Sequence, residues 1–517
     1  MLSFHRRPRR RCGSGCLSAR FSSALELSPP WRAWSSTGAQ RQSTSRSTFW
    51  SPSPCGGLLA FLRCDRHRFR PSLTAMHLPE LEPAKSRSTL RIPPGLSLPL
   101  TPRLQAAIDT AEMRRLANVG QLGLVALVYP GAVHTRFEHS LGVFRLAVAF
   151  VERLQADDAF SELISTEDAS AFLAAALLHD VGHWPFCHPI EDMRLAEFPR
   201  HESFLRDIIL GGELVDVLHR QWGVPPERVA SLVEGSADDP AGRLLASLLS
   251  GPVDVDKMDY LARDSLHAGV PYGRHFDEER LLASLCVGPD RGSLAITSKG
   301  VTAAELLVFA RYVMFSEVYW HHAVRAATAM LQRAVWLLRD RVDPSQLVRF
   351  DDAAFVGWIR GAAAGTPAEP LAEGLFGARR RLAKRVASFD AREYPELHAT
   401  VAGRTYVELV AIAQRLAERL TTALGRPIDA ATLLLDAPPA EKEVEFRLDV
   451  RMPARSTTPW RSLESLSPVV RALAHEQFDD LVKQVRLFAA PDDAVAIQNS
   501  DGLEKMLLEA VRDADHE

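Results

Sequence analysis

Apolar residues recur three and four positions apart almost without interruption from about residue 102 to 340, the spacing of helices that bury one face. The stretches "RLQAAIDTAEMRRLANVGQLG" (103–123), "EHSLGVFRLAVAFVERLQ" (138–155) and "DASAFLAAALLHDVGH" (168–183) all carry it. Residues 302–342 contain neither Pro nor Gly, which predicts one or two long core helices. Residues 352–424 predict further helices. The period then changes. "ATLLLDAPP" (431–439), "EVEFRLDVRM" (443–452) and "KQVRLFAAP" (483–491) are short, rich in β-formers and bounded largely by Pro, so they predict strands, with a last helix near 500–514. The expected fold is mainly α: a helical bundle over 76–345, followed by a helical and α+β region over 346–517.

Composition changes this picture at one end. The chain has 517 residues and a formal net charge of −3. Its first 75 residues hold 13 Arg, no Lys and only two acids, with no sustained periodicity, so the remainder is distinctly acidic. That tract reads as an over-extended start or a disordered tail rather than a targeting segment, with the folded chain beginning at Met76. An acidic body argues against nucleic-acid binding driven by phosphate contacts. No apolar run reaches membrane-spanning length, so no membrane partner and a cytoplasmic location are expected. Beyond the tract only Cys187 and Cys286 remain, too few for a disulfide framework.

Three stretches hold an unusual density of chemistry. "HTRFEHSLG" places His134, Arg136, Glu138 and His139 at the mouth of a helix. "ALLHDVGHWPFCHPIED" puts His179 and Asp180 at the end of an apolar helix, His183 one turn on, and His188 after a Pro-containing turn. "DVDKMDYLARD" sets Asp256, Tyr260 and Asp264 on one helical face, beside Lys257. A fourth, "RHESF", starts a helix with His201 and Glu202. Singly, each reads as an ordinary helix end or solvated face. Together, His139, His179, Asp180 and Asp256 offer two imidazoles and two carboxylates, a donor set suited to Mn, Fe, Co, Zn or, less naturally, Mg. Drawn from separate helical segments, they can meet inside a bundle.

"HTRFEHSLG", "LLHDVGHWPFCH" and "DVDKMDYLARD" resemble, in order, the three signature stretches of HD-domain phosphohydrolases, and more closely the deoxynucleoside triphosphate triphosphohydrolase branch. The resemblance runs from about 110 to 340 and more faintly to 490, where "LLLDAPP" and "SLSPVV" recur. It implies a divalent metal on His139, His179, Asp180 and Asp256, and Arg136 on the phosphate side. His188, Glu191 and His201 match the catalytic His, acid and His, Glu191 standing where the family usually has Asp. Lys257, Tyr260, Asp264, Arg311, Tyr319 and His321 match residues that hold phosphates, sugar and base, and Gln121 and Leu122 match residues lining sugar and base. It implies a nucleotide substrate and a homo-oligomer, dimer or tetramer.

The residues support this independently. A triphosphate needs cations, which Arg136, Lys257 and Arg311 supply. A histidine held by a carboxylate such as Glu191 suits protonation of a leaving oxygen. Glu138 reads as a brace for its neighbours, and His134 has no assigned role. The leading expectation is hydrolysis of deoxynucleoside triphosphates to deoxynucleoside and tripolyphosphate. The alternatives are an HD-type phosphodiesterase or nucleotidase acting on other nucleotides, and a catalytically silent nucleotide sensor. One outcome follows from the composition shift: a chain begun at Met76 melts at the same temperature and turns over at the same rate as the full chain. Calorimetry and an activity assay check it, and a lowered melting temperature would assign the tract to the fold.

Overall fold

A computed structural model describes residues 76–82, 88–94, 96–438, 447–474 and 482–516, so the expectation for residues 1–75 lies outside the described chain. The "HTRFEH" stretch opens a helix because Thr135 is extended and its hydroxyl accepts from the Glu138 amide, which starts Arg136–Leu154. Thr166–Leu178 begins with a reciprocal cap between Ser165 and Asp168, and every residue from Ala169 to Leu178 is buried. Its many alanines let Arg136–Leu154 and Pro226–Val233 pack closely on it.

A third helix, Val255–Ala268, starts at Asp254, whose buried carboxylate accepts from the Lys257 amide. It crosses Arg136–Leu154 at Gly142. A Cβ there would sit 2.0 Å from Asp259 Oδ1 and 2.2 Å from Arg263 Nη2, so only glycine permits this crossing. The Pro- and Gly-free stretch forms two helices, Val301–Met314 and His322–Leu338. They are joined by a wide π-type turn in which the Trp320 amide donates to Phe315 O at 2.8 Å. No residue type marks that break, which is why the spacing left one or two helices open. Such widened turns recur at functional sites, and this one carries Tyr319.

The three strands expected near the C-terminal end form at Leu434–Asp436, Asp449–Arg451 and Val485–Ala489, and the last helix at Leu503–Ala514. Val485–Ala489 is the centre of a three-stranded antiparallel sheet between Lys384–Phe389 and Leu434–Asp436. Alternation along it serves two cores. Leu434 and Phe488 face the helix His322–Leu338, while Leu435, Val485 and Leu487 pack with Tyr406–Leu424 and Leu503–Ala514. Asp449–Arg451 runs parallel to Leu294–Thr297 in a four-stranded sheet. Strands Leu285–Val287, Leu294–Thr297 and Lys384–Phe389 interrupt stretches that the periodicity assigned to helices. They are three to six residues long, too short for alternation to outweigh the flanking helical period. No described helix is long and apolar enough to cross a membrane.

Candidate active site and metal centre

His139 lies one turn into Arg136–Leu154, and His179 caps the end of Thr166–Leu178. Their Nε2 atoms face each other at 3.2 Å. Asp256 Oδ1 is 3.0 Å from His139 Nε2 and 3.8 Å from His179 Nε2, and Asp180 Oδ1 is 3.4 Å from His179 Nε2. The four residues expected to bind metal therefore share one space. Their outer nitrogens are committed: His139 Nδ1 to Asp259 Oδ2 at 2.9 Å, His179 Nδ1 to the Ala176 carbonyl at 3.0 Å. A carbonyl or carboxylate only accepts, so each Nδ1 donates, and in the neutral ring each Nε2 then keeps a lone pair for a cation. Two such nitrogens and two carboxylates in one space can hold a cation between them. Tetrahedral bonds of roughly 2.0–2.1 Å to two imidazoles separate the nitrogens by about 3.3 Å, so a divalent ion fits this pair. Without it a proton substitutes: burial opposes the charge, yet Asp256 and Asp259 push His139 up to about 10.

The bracing runs outward. Arg263 donates to both oxygens of Asp259 at 2.8 Å and to Glu138 at 2.6 Å, and His267 lies 2.9 Å from the same Glu138 oxygen. Glu138 thus braces its neighbours, as its position suggested. Asp259 and Arg263 were not singled out in the sequence, although their i, i+4 spacing on the metal-bearing helix was the available signal.

A second group adjoins the first through Asp180. Arg136 Nη1 donates to Asp180 Oδ2 at 2.8 Å, and His183 Nδ1 lies 3.1 Å from Oδ1. Burial would raise the Asp180 carboxyl, but His183, His179 and Arg136 hold it well below the usual range. Glu191 accepts from the His201 amide at 2.7 Å and lies 3.0 Å from His201 Nδ1. The longer side chain than Asp therefore reaches its histidine. Burial opposes ionisation of Glu191 as well, and His201 keeps it lowered. His183 packs its ring 3.7 Å from that of His201 and sets Nε2 3.3 Å from His188 Nε2. Burial and Arg136 push His183 well below its ordinary range, while Asp180 pulls the other way. Gly182 allows the loop to lie against His201, because a Cβ would meet His201 O at 2.5 Å. Phe186 takes a left-handed backbone at φ 55°, its ring wedged between Phe355 and Phe376, and this strained residue launches the short helix Cys187–Glu191. Burial pushes the Cys187 thiol up to about 12, and His188 is the most exposed of the group.

Among the residues expected to hold substrate, Tyr319 donates to Asp264 Oδ2 at 2.6 Å. His134 Nε2 contacts the other Asp264 oxygen at 2.8 Å and stacks on His267, which gives this unassigned residue a structural place. The Tyr260 ring lies 6.4 Å from that of Tyr319, and burial keeps both phenols protonated. Gln121, Leu122, Arg136, His188 and Tyr319 line a cavity of about 920 Å³ that continues to Trp320, Trp336 and Tyr406. Arg136 Nε and Gln121 Oε1 are buried without a partner among the described residues. Lys257, Tyr260, Asp264 and Arg311 lie on the two helices that flank Tyr319, with Lys257 Nζ 2.6 Å from Asp254. His321 is not part of the cavity wall. Its Nδ1 accepts from the Ala323 amide at the start of His322–Leu338.

This fold and this cluster have close parallels. Residues 136–264 match the family model "HD domain" and residues 276–501 match "HD associated region". An uncharacterised protein of Methanocaldococcus jannaschii is 36% identical over 265 residues, covering 49% of this chain and 51% of that protein. The deoxynucleoside triphosphate triphosphohydrolase SAMHD1 of Danio rerio is 32% identical over 270 residues, 46% of this chain and 42% of that enzyme. A hypothetical protein from Aquifex aeolicus has a solved structure that superposes with a TM-score of 0.60 at 25% identity, covering 82% of this chain and 99% of that one. The chain spans about half the length of the curated relatives it matches. The chain thus carries an HD domain followed by an HD-associated region, built on a helical bundle.

Asp259 offers a direct test of the bracing. Asp259→Asn retains the shape but lets the outer contact of His139 reverse, and manganese affinity measured by calorimetry falls roughly 10- to 100-fold. Burial raises the Asp259 carboxyl, yet Arg263 and His139 bring it down to about 2, below its ordinary 3.8. Its share of stability is therefore complete above pH 4 and lost as pH falls toward 2. Acid unfolding of the Asn variant lacks that step, and identical acid profiles together with unchanged metal affinity would remove Asp259 from the brace.

Proposed function

We propose that this site hydrolyses deoxynucleoside triphosphates at the α-phosphorus, releasing deoxynucleoside and tripolyphosphate. The observation that carries the reading is that three groups of contacts adjoin one another. The His/Asp set and Arg136 stand together, His201 on Glu191 stands beside them, and the Tyr319–Asp264 pair lies on the neighbouring helices. Relatives named as deoxynucleoside triphosphate triphosphohydrolases support the substrate class. A divalent ion on His139, His179, Asp180 and Asp256, when bound, supplies positive charge that polarises a phosphoryl oxygen.

The chain's own groups then divide the work. Arg136 is fixed by Asp180 and keeps Nε for an α-phosphate oxygen. Water forms a bond to the α-phosphorus as the bond to the 5′-oxygen breaks, and the electron pair leaves on that oxygen. His201 is oriented through Nδ1 by Glu191 and presents Nε2 to protonate it, with His188 the second candidate. Lys257 and Arg311 receive the outgoing phosphates. Tyr319, tied to Asp264, seats a sugar without a 2′-hydroxyl. Nothing resembling a GxxxxGK[ST] loop is present to grip β- and γ-phosphates for terminal cleavage. A cytoplasmic location and a dimeric or tetrameric assembly complete the proposal.

Two outcomes test it. His179→Ala and Asp256→Ala each lose the metal and all turnover while the helical circular dichroism persists, because the ligands sit on helices with apolar faces of their own; full metal occupancy in both would overturn the ligand set. Phosphorus NMR of a dGTP digest shows tripolyphosphate alone, with deoxy substrates preferred over ribo. Pyrophosphate with a monophosphate, or phosphate with a diphosphate, would overturn the roles given to His201 and Lys257.

A further inference from the structure

Beside the His/Asp set lies a different donor cluster. His183, Cys187, His188 and His201 each offer one ligand atom, and all four atoms lie within 4.8 Å of one another. His183 Nε2 and His188 Nε2 are 3.3 Å apart, the separation that two zinc bonds of roughly 2.0–2.1 Å at the tetrahedral angle would give. Three of the four are buried. His201 Nδ1 is held by Glu191 and His183 Nδ1 lies 3.1 Å from Asp180 Oδ1, which leaves their Nε2 atoms for the cluster. The two carboxylates that hold those rings also balance charge brought into the pocket. A thiol among three imidazoles is a soft donor set, unlike the two carboxylates and two imidazoles of the neighbouring site.

We propose that His183, Cys187, His188 and His201 form a second metal site, selective for zinc, and that its occupation inhibits the enzyme. Binding transfers the Cys187 thiol proton to solvent and ties up the ring nitrogens of all three histidines. Inhibition follows because a zinc-bound His201 or His188 has no lone pair with which to carry a proton. The binding claim stands on the donor geometry; the inhibition claim rests on the function proposed above. Cys187 has no role in the reaction given there; its sulfur accepts a long contact from Arg136 Nη2 at 3.9 Å, which a serine hydroxyl can also accept, so Cys187→Ser is expected to retain basal turnover.

The test uses cobalt(II) as a visible probe for zinc, titrated into the full-length protein. The wild-type chain is expected to take up a second equivalent with an intense near-ultraviolet thiolate-to-cobalt band, which zinc displaces. Because four more cysteines precede residue 76, the reading is the difference from Cys187→Ser. That variant, or Cys187→Ala if the serine variant unfolds, loses the band and binds the second equivalent at least about tenfold more weakly. In the activity arm, zinc added to manganese-loaded enzyme lowers turnover, and the variant needs about tenfold more zinc for the same loss. Equal cobalt uptake and equal spectra in the two proteins would overturn the site. A band that depends on Cys187 without zinc inhibition would overturn the regulatory claim alone, and the spectra decide on the site even if no nucleotide is turned over.

Discussion

Two imidazole nitrogens held 3.2 Å apart beside two carboxylates need a positive charge between them or on one of them, and much of the surrounding bundle exists to sustain that arrangement. Each ring is pinned from behind by an acceptor, a carboxylate for His139 and a helix-end carbonyl for His179. The carboxylate must itself be buried and paired, which brings in Arg263, and Arg263 in turn needs Glu138. That chain of contacts requires two helices to approach closely enough for Asp259 to reach His139. Gly142 is the residue that grants the approach. A metal site of the kind proposed is thus a property of the helix crossing as much as of its four candidate ligands, and loosening the Asp259 brace frees the His139 ring to turn.

The same logic joins the metal centre to the proton-carrying group. Asp180 is the shared member, contacting His179, Arg136 and His183 through its two oxygens. Whatever sits at the metal position therefore changes the field felt by His183 and, through ring contact, by His201. Glu191 closes the network at the other end. Glu191 ends the short helix Cys187–Glu191, launched from the strained Phe186, and its longer side chain spans to His201 from there.

The candidate ligands were legible in the sequence because metal chemistry needs rare residue types at fixed helical offsets, and His139, His179, Asp180 and Asp256, which the fold brings together, stand in such stretches. The helices that carry them were legible for the same reason, since a buried bundle needs a sustained period. What the sequence concealed falls into two kinds. Short strands such as Leu285–Val287 owe their existence to partners far away in the chain, and Asp449–Arg451 pairs with Leu294–Thr297 across roughly 150 residues of sequence. The braces, Asp259, Arg263 and His134, are ordinary charged or polar residues whose meaning appears only when a second helix is laid against them. The break at Phe315–Tyr319 belongs with these, because it is a packing outcome without a residue that announces it.

His134 shows how far such concealed contacts extend the site. Its Nε2 holds one oxygen of Asp264 while Tyr319 holds the other, so Asp264 is clamped between a buried imidazole and a half-buried phenol. An aspartate with both oxygens engaged cannot swing, and a phenol that donates to a fixed carboxylate cannot rotate its ring edge away. The His134 ring rests in turn on His267, which contacts the Glu138 that supports Arg263 and Asp259. One continuous set of contacts therefore runs from the position proposed for the sugar to the outer nitrogen of a proposed metal ligand. In the proposed reaction the sugar's seat and the α-phosphate's cation must keep a fixed separation, and this buried relay, rather than the exposed wall of the cavity, is what can hold it.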